Sequence, residues 1–216
     1  MYFQNRNDAG RQLAEALVSY KGQPNTLVLA LPRGGVPVAF EIALALHLPL
    51  DLMLVRKLGI PGHEEVAMGA IANGNVQVLD EDLVRSLHIS SAAIERVIKA
   101  EHAELFRRNQ AYRGGSAAPV LSGQTAILVD DGMATGSNMQ AALLAARQQQ
   151  AGRVVVAAPV ASDSACALLS KMADEMICLD IPKPFYSVGG AYDDFSQTSD
   201  AEVKALLKRA KGWAAA

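Results

Sequence analysis

The sequence predicts an α/β fold: a parallel, twisted sheet of about five strands flanked by helices. Three observations carry that expectation. Continuous apolar runs, as buried parallel strands require, recur at residues 26–31, 50–55, 125–130, 153–160 and 175–179. Segments with helical spacing lie between runs, so a strand can return to the sheet through a crossover. Half of the 216 residues are apolar but only 5% are aromatic, and Ala, Val and Leu abound, which suits close packing of helices on a sheet. Residues 1–216 are expected to form one domain.

Along the chain, Asp8 can cap a helix running to about Tyr20, with Leu13, Ala16, Leu17 and Tyr20 on one face. The first strand, 26–31, ends at Pro32–Arg33–Gly34–Gly35, and a helix follows from about Val36 to His47. The second strand, Leu50 to Val55, ends at Arg56–Lys57. Ala67–Ala72 and Val76–Leu79 read as a β-hairpin around Asn73–Gly74–Asn75, because Asn-Gly suits the positive φ of a tight turn. Ser90 or Ser91 can start a long helix to about Arg113, with Ile94, Val97, Ile98, Leu105 and Phe106 as its apolar stripe. Strand 125–130 and a helix from about Gly136 to Ala151 come next, then strand 153–160, a helix from Ser164 to about Met172, and strand 175–179. Ser199–Asp200–Ala201–Glu202 is a helix-start signal.

Composition narrows the function classes. A net charge of −2 gives no reason to expect a nucleic-acid or membrane partner. Cys166 and Cys178 are too few for a disulfide framework, and as reduced thiols in apolar segments they point to the cytoplasm. The N-terminus is polar and shows no signal peptide. The longest apolar region, Val36 to Val55, is interrupted by Glu41, His47, Pro49 and Asp51, which argues against a membrane span. Gly114–Pro119 reads as a surface loop.

The most informative stretch is Ala126–Ile127–Leu128–Val129–Asp130–Asp131–Gly132–Met133–Ala134–Thr135–Gly136–Ser137. An apolar strand runs into two carboxylates, then a loop of small and hydroxyl residues, then a helix. Small residues let backbone N–H groups approach a phosphate, and the helix N-terminus adds partial positive charge. Thr135 and Ser137 add hydroxyl donors. The carboxylates would repel a phosphate, so Asp130 and Asp131 suit ribose hydroxyls or a hydrated Mg²⁺. In Pro32–Arg33–Gly34–Gly35, the glycines permit close backbone approach, and Arg33 offers a positive fork to phosphate oxygens. Every one of these groups falls at the carboxyl end of a strand, where open α/β sheets bind ligands.

This arrangement resembles the signature of the type I phosphoribosyltransferases, which use phosphoribosyl pyrophosphate (PRPP). Their pattern is an apolar strand, an acidic pair, three variable residues, Thr-Gly, then usually Gly and Ser or Thr. The chain matches through Gly136 and departs at Ser137 and Asn138. Further segments, Asn7–Leu13, Leu31–Ala39, Val55–Gly59 and Asp193–Gln197, resemble one bacterial subgroup whose acceptor the resemblance leaves open.

The resemblance implies that Gly132, Met133, Ala134, Thr135, Gly136 and Ser137 take a 5′-phosphate and that Asp130 and Asp131 take ribose hydroxyls, with Mg²⁺ held indirectly through them. It implies that Arg33, Gly34, Gly35, Arg56 and Lys57 meet pyrophosphate, with Asp130, Asp131, Arg33 and Lys57 carrying catalysis. In this family the loop at Arg33 often holds a non-proline cis peptide. Lys57–Glu65 looks like a mobile loop that closes over PRPP. A small hood at about 181–198, rich in aromatics in an aromatic-poor chain, offers Phe185, Tyr186, Tyr192 and Asp193 to a planar acceptor. The expected function is Mg²⁺-dependent transfer of 5-phosphoribosyl to a nitrogen acceptor, a nucleobase or analogue, with a homodimer left open. The alternatives are a PRPP- or nucleotide-sensing regulator without catalysis, and a phosphoribosyl or nucleotide hydrolase.

Overall fold

The computed structural model describes residues 2–72 and 76–213. Its elements run α1 (Arg6–Ala16), β1 (Thr26–Ala30), α2 (Gly35–Leu46), β2 (Leu50–Leu52), β3 (Val55–Ile60), β4 (His63–Ala72), β5 (Val76–Leu79), α3 (Glu81–Ser86), α4 (Ser91–Arg113), β6 (Thr125–Val129), α5 (Ser137–Gln148), β7 (Arg153–Val160), α6 (Asp163–Leu169), β8 (Glu175–Asp180) and α7 (Asp200–Trp213). Five strands form the expected parallel sheet in the order β2-β1-β6-β7-β8. All of β1 is buried, and so is β7 after Arg153, because helices cover both faces. Alternation divides the core in two. Val28 and Ala30 face the helices α1, α2 and α7, while Leu27, Leu29 and Leu31 face α5 and α6.

The apolar run 50–55 is not one strand. β2 stops at Leu52, and the chain enters β3, the first strand of a separate antiparallel sheet in the order β3-β4-β5. The expected mobile loop from Lys57 to Glu65 is therefore a hairpin arm, with its tip at Pro61–Gly62. Pro61 presets the turn and Gly62 supplies the positive φ of +80° that closes it. The glycines and proline that suggest flexibility mark this turn and an irregular register at Gly59, while Leu58 and Ile60 between them are buried. The expected hairpin between Ala67 and Leu79 is present as β4 and β5, and its turn at Asn73–Asn75 lies outside the described residues.

Helix α4 covers this arm. Leu105 is buried, and Ile94, Val97 and Ile98 pack against Leu58, Met68 and Ile71 in the same core, whereas Phe106 of the predicted stripe turns outward at 64% exposed. Ser90 caps α4 as expected, its side chain accepting from the Ala93 amide. At α1 the cap is Asn5 rather than Asp8. Asn5 accepts from the Asp8 amide at 3.0 Å while the Asp8 carboxylate accepts from the Gln4 amide at 3.1 Å, so Asp8 serves inside the first turn. Cys166 and Cys178 are free and half-buried. Among the described residues, no helix is long and apolar enough to cross a membrane.

Candidate active site

The strand order places the site. After β1 the chain adds β2 on one side and, later, β6 on the other, so the crevice above β1 and β6 is the switch point of the sheet. Ligands of open α/β sheets bind there, beyond the carboxyl ends of the strands. The end of β1 carries Pro32–Gly35, and the end of β6 carries Asp130–Gly136. The Pro32–Arg33 peptide is cis.

These two strand ends touch. A Cβ on Gly34 would lie 2.0 Å from Asp131 Oδ2, and one on Gly35 would lie 2.7 Å from the Val129 carbonyl oxygen and 2.9 Å from Asp130 Cα. The paired glycines thus bring the first loop against the acidic pair. The Gly35 amide already donates to the Leu31 carbonyl, which removes it from the predicted pyrophosphate donors.

The two carboxylates stand in different surroundings. Asp130 accepts its neighbour's amide at 2.9 Å, and desolvation, followed by the nearby charge of Asp131, pushes its carboxyl well above the usual range. Asp131 receives Arg6 Nε at 2.7 Å on Oδ2. Arg6 also donates Nη1 to the Ser196 carbonyl at 2.7 Å, and its guanidinium lies 3.9 Å over the Phe195 ring. Asp131 is therefore held by an N-terminal arginine, and Asp130 has its own place between two cavities.

One cavity, of about 330 Å³, is bounded by Pro32, Asp130, Asp131 and the loop from Gly132 through Asn138. Thr135 and Ser137 lie here, with their hydroxyls 3.0 Å apart. Ala134, Thr135 and Gly136 precede the first turn of α5, as a phosphate-cradling loop requires. Met133 departs from expectation. Its amide donates to the Val160 carbonyl at 3.0 Å and its side chain is buried in the core, so it anchors the loop to β7 and offers no phosphate donor. Ser162 completes the anchor by donating its hydroxyl to the Ala134 carbonyl.

The second cavity, of about 420 Å³, opens between the β3–β4 arm and α4, and it shares Pro32, Asp130 and Asn138 with the first. Arg56 and Lys57 line it, from within β3 rather than from a strand end. Arg56 Nε meets Glu101 of α4 at 2.5 Å. Arg33 lines neither cavity, and its guanidinium sits 3.5 Å from Asp200 at the start of α7. Tyr112 of α4 donates to the same carboxylate oxygen at 2.8 Å. That hydrogen bond, followed by the Arg33 charge, lowers the Asp200 carboxyl, while burial and Asp200 push the Tyr112 hydroxyl up to about 12.

The predicted hood does not enclose this space. Tyr192 is buried between Phe3 and Phe195, with ring centroids 5.5 and 5.0 Å away, and its hydroxyl donates to the Asp131 carbonyl. Asp193 is exposed and its amide donates to the Phe3 carbonyl. Phe185 is half-buried beside that cluster, and Tyr186 is 88% exposed. The aromatic segment is a brace behind Asp131. The sequence reading does not single out Arg6, Asp200, Tyr112 or Glu101 as site residues. Only Arg6 carried a signal, since it adjoins the Asn7–Leu13 segment that resembles the subgroup.

Residues 2–195 match the model of the phosphoribosyl transferase domain. The chain belongs to the phosphoribosyl transferase family. Two Mycobacterium tuberculosis proteins named as candidate phosphoribosyl transferases are 47% identical over 208 residues, which is 96% of this chain and 47% of theirs. The chain thus spans about half the length of these relatives. The crystal structure of TT1426 from Thermus thermophilus superposes with a TM-score of 0.89 at 41% identity, covering 97% of this chain and 99% of that one. The AQ2163 protein of Aquifex aeolicus shares the fold at a TM-score of 0.52 and 10% identity, over 94% of this chain and 84% of its own.

Proposed function

We propose that residues 1–216, acting as one phosphoribosyltransferase-like domain, transfer 5-phosphoribosyl from PRPP to a nitrogen heterocycle and release pyrophosphate. One observation carries this reading: Asp130 borders both the cavity at the Gly132–Ser137 loop and a second cavity on whose wall Arg56 and Lys57 stand beside Glu64 and Glu101. A sugar with its 5′-phosphate at Ala134–Ser137 and its hydroxyls on the acidic pair directs C1 toward that second cavity. There the C1–O bond to pyrophosphate breaks as positive charge grows on the ribose ring. Asp131, fixed in place by Arg6, faces that charge without reorganising.

Lys57 faces the leaving group from the arm. Arg33 joins it by exchanging Asp200 for a phosphate oxygen. That exchange is cheap, because the Arg33 and Asp200 side chains are 39% and 43% exposed and such pairs contribute about 0–1 kcal/mol. Among the described residues, no group of three or more His, Cys, Asp or Glu side chains could cage a metal. An acidic pair beside a phosphate cradle does fit Mg²⁺ in its common mode, keeping several waters and bridging to substrate phosphates. Asp130 and Asp131 would hold it through those waters or the ribose hydroxyls, and bound there it would neutralise charge on the departing pyrophosphate.

The test is PRPP binding by calorimetry, with and without Mg²⁺, and pyrophosphate release with a panel of nitrogen heterocycles. Asp130→Asn combined with Asp131→Asn should lower turnover at least ~100-fold, the scale of losing positioned charges. A folded double variant with near-normal turnover refutes the assignment. Tight PRPP binding without release for any acceptor would instead favour a PRPP-sensing protein.

A further inference from the structure

Built on that reading, we infer that Asp200 and Tyr112 position Arg33 for the pyrophosphate group: Asp200 holds the arginine back while the site is empty and takes it back when pyrophosphate leaves.

The sequence accounts for Asp200 only as part of a helix start, and the structure gives that duty to its neighbour. Ser199 caps α7, its hydroxyl accepting from the Glu202 amide at 3.1 Å. The Asp200 carboxylate takes Arg33 Nη1 at 3.5 Å and the Tyr112 hydroxyl at 2.8 Å, both on Oδ1. Tyr112 stands on α4 one turn beyond Arg108, which lines the cavity beside the β3–β4 arm. The loop after β1, helix α4 and helix α7 therefore meet at one carboxylate oxygen. Burial, then the hydrogen bond to Asp200, pushes the Tyr112 hydroxyl up to about 12, so it stays a donor at working pH and keeps that oxygen in place.

Arg33 has to move in order to act. Its side chain lines neither cavity of the site, while Pro32, the residue before it, borders both. The loop thus stands at the site, and the Asp200 pair sets which way its cation points. Arg107, whose charge also reaches Asp200, is engaged elsewhere, giving Nε and Nη2 to Glu104 at 2.8 and 3.0 Å. An ion pair as exposed as Arg33–Asp200 shifts an equilibrium by about two- to fivefold. Pyrophosphate overturns such a hold readily, because it brings several charges to one guanidinium. Ribose 5-phosphate, seated at Ala134–Ser137, offers Arg33 nothing. Asp200 should therefore act on ligands that carry pyrophosphate and leave the sugar phosphate alone.

The experiment is calorimetry with pyrophosphate, PRPP and ribose 5-phosphate. Asp200→Asn keeps an acceptor for Tyr112 and removes the charge. It should bind pyrophosphate and PRPP about two- to fivefold tighter, bind ribose 5-phosphate as before, and show stronger inhibition of turnover by pyrophosphate. Asp200→Ser removes the same charge and should repeat the result, whereas Asp200→Glu, which keeps it, should stay near the unaltered chain. In an Arg33→Ala background the Asp200→Asn gain should vanish, because the side chain it acts through is gone. The gain should also shrink between about 0.01 M and about 1 M salt, as the screening length falls from about 30 to about 3 Å. Unchanged or weaker pyrophosphate binding in Asp200→Asn overturns the inference. So does an equal change for ribose 5-phosphate, which marks a merely structural residue, or a gain that persists without Arg33. If the unaltered chain binds none of the three ligands, the PRPP reading falls and this inference with it.

Discussion

The contact between the two strand ends makes opposite demands on two neighbouring glycines, which separates function from folding in one experiment. An alanine at position 34 sets its Cβ 2.0 Å from Asp131 Oδ2 and 2.6 Å from Cγ. The obstacle is the end of a side chain, which can swing away, but only by leaving Arg6 at 2.7 Å. An alanine at position 35 meets backbone instead, with the Val129 carbonyl oxygen at 2.7 Å and Asp130 Cα at 2.9 Å. Two strand ends must part to admit it. Overpacking costs about 1–3 kcal/mol, and position 35 belongs at the upper end. Alanine also favours the first turn of α2 over glycine by up to about 1 kcal/mol, so the net loss is about 2 kcal/mol. For a domain of this size that lowers Tm by about 4–8 °C. Gly34→Ala should cost only about 1 kcal/mol, or about 2–4 °C, and yet weaken PRPP binding about tenfold by displacing Asp131. Thermal denaturation and calorimetry on both variants check this. Equal Tm losses, or wild-type PRPP affinity in Gly34→Ala, would refute the reasoning.

Three further outcomes follow from the same geometry. Arg6→Ala should weaken PRPP binding by about tenfold with a small change in Tm, and Arg6→Lys should recover part of it, since a lysine keeps the charge and loses the stacked fork; calorimetry reads both. Arg33→Ala should weaken pyrophosphate-containing ligands more than ribose 5-phosphate, and equal losses would remove Arg33 from the leaving-group site. The Tyr20 hydroxyl and then Arg153, at 2.9 Å, hold the Glu175 carboxyl below its usual range, so the stability they add is complete above the unfolded value of about 4.3 and is lost as pH falls through the folded value. Urea midpoints measured from neutral pH downward should therefore decline on acidification, and Glu175→Gln should flatten part of that decline.

The proposed PRPP-binding half of the site was legible because its signals are local. Asp130, Asp131, Thr135 and Ser137 lie on one loop, and the strand before that loop and the helix after it are themselves sequence signals. The cavity between the β3–β4 arm and α4 was not, for two physical reasons. Glycine and proline mark a tight hairpin turn as readily as a mobile loop, and only the burial of Leu58 and Ile60 beneath α4 distinguishes them. Arg56 and Glu101 are 45 residues apart, so no spacing rule joins them. The split of the run 50–55 has the same origin. A buried apolar strand reads alike whether its hydrogen-bonding partners continue or change sheet, and the partners are set by tertiary contact.

The aromatic segment shows why residue type alone misplaces a role. Aromatics concentrated in a poor background mark a place where the chain must be held, and the sequence does not say what is being held. Here Phe3, Tyr192 and Phe195 stack in series, Tyr192 reaches the Asp131 backbone, and Arg6 bridges the outer ring to the Asp131 carboxylate. The buried Tyr192 hydroxyl, pushed up first by burial and then by the Asp131 charge, remains a donor across the working pH range. A carboxylate proposed to meet ribose in one orientation needs its backbone and its charge fixed from behind. The N-terminal and C-terminal segments supply one restraint each, meeting at the Phe3–Tyr192 bridge. The two distant stretches that resemble the same subgroup, Asn7–Leu13 and Asp193–Gln197, thus flank a single device whose output is the position of Asp131.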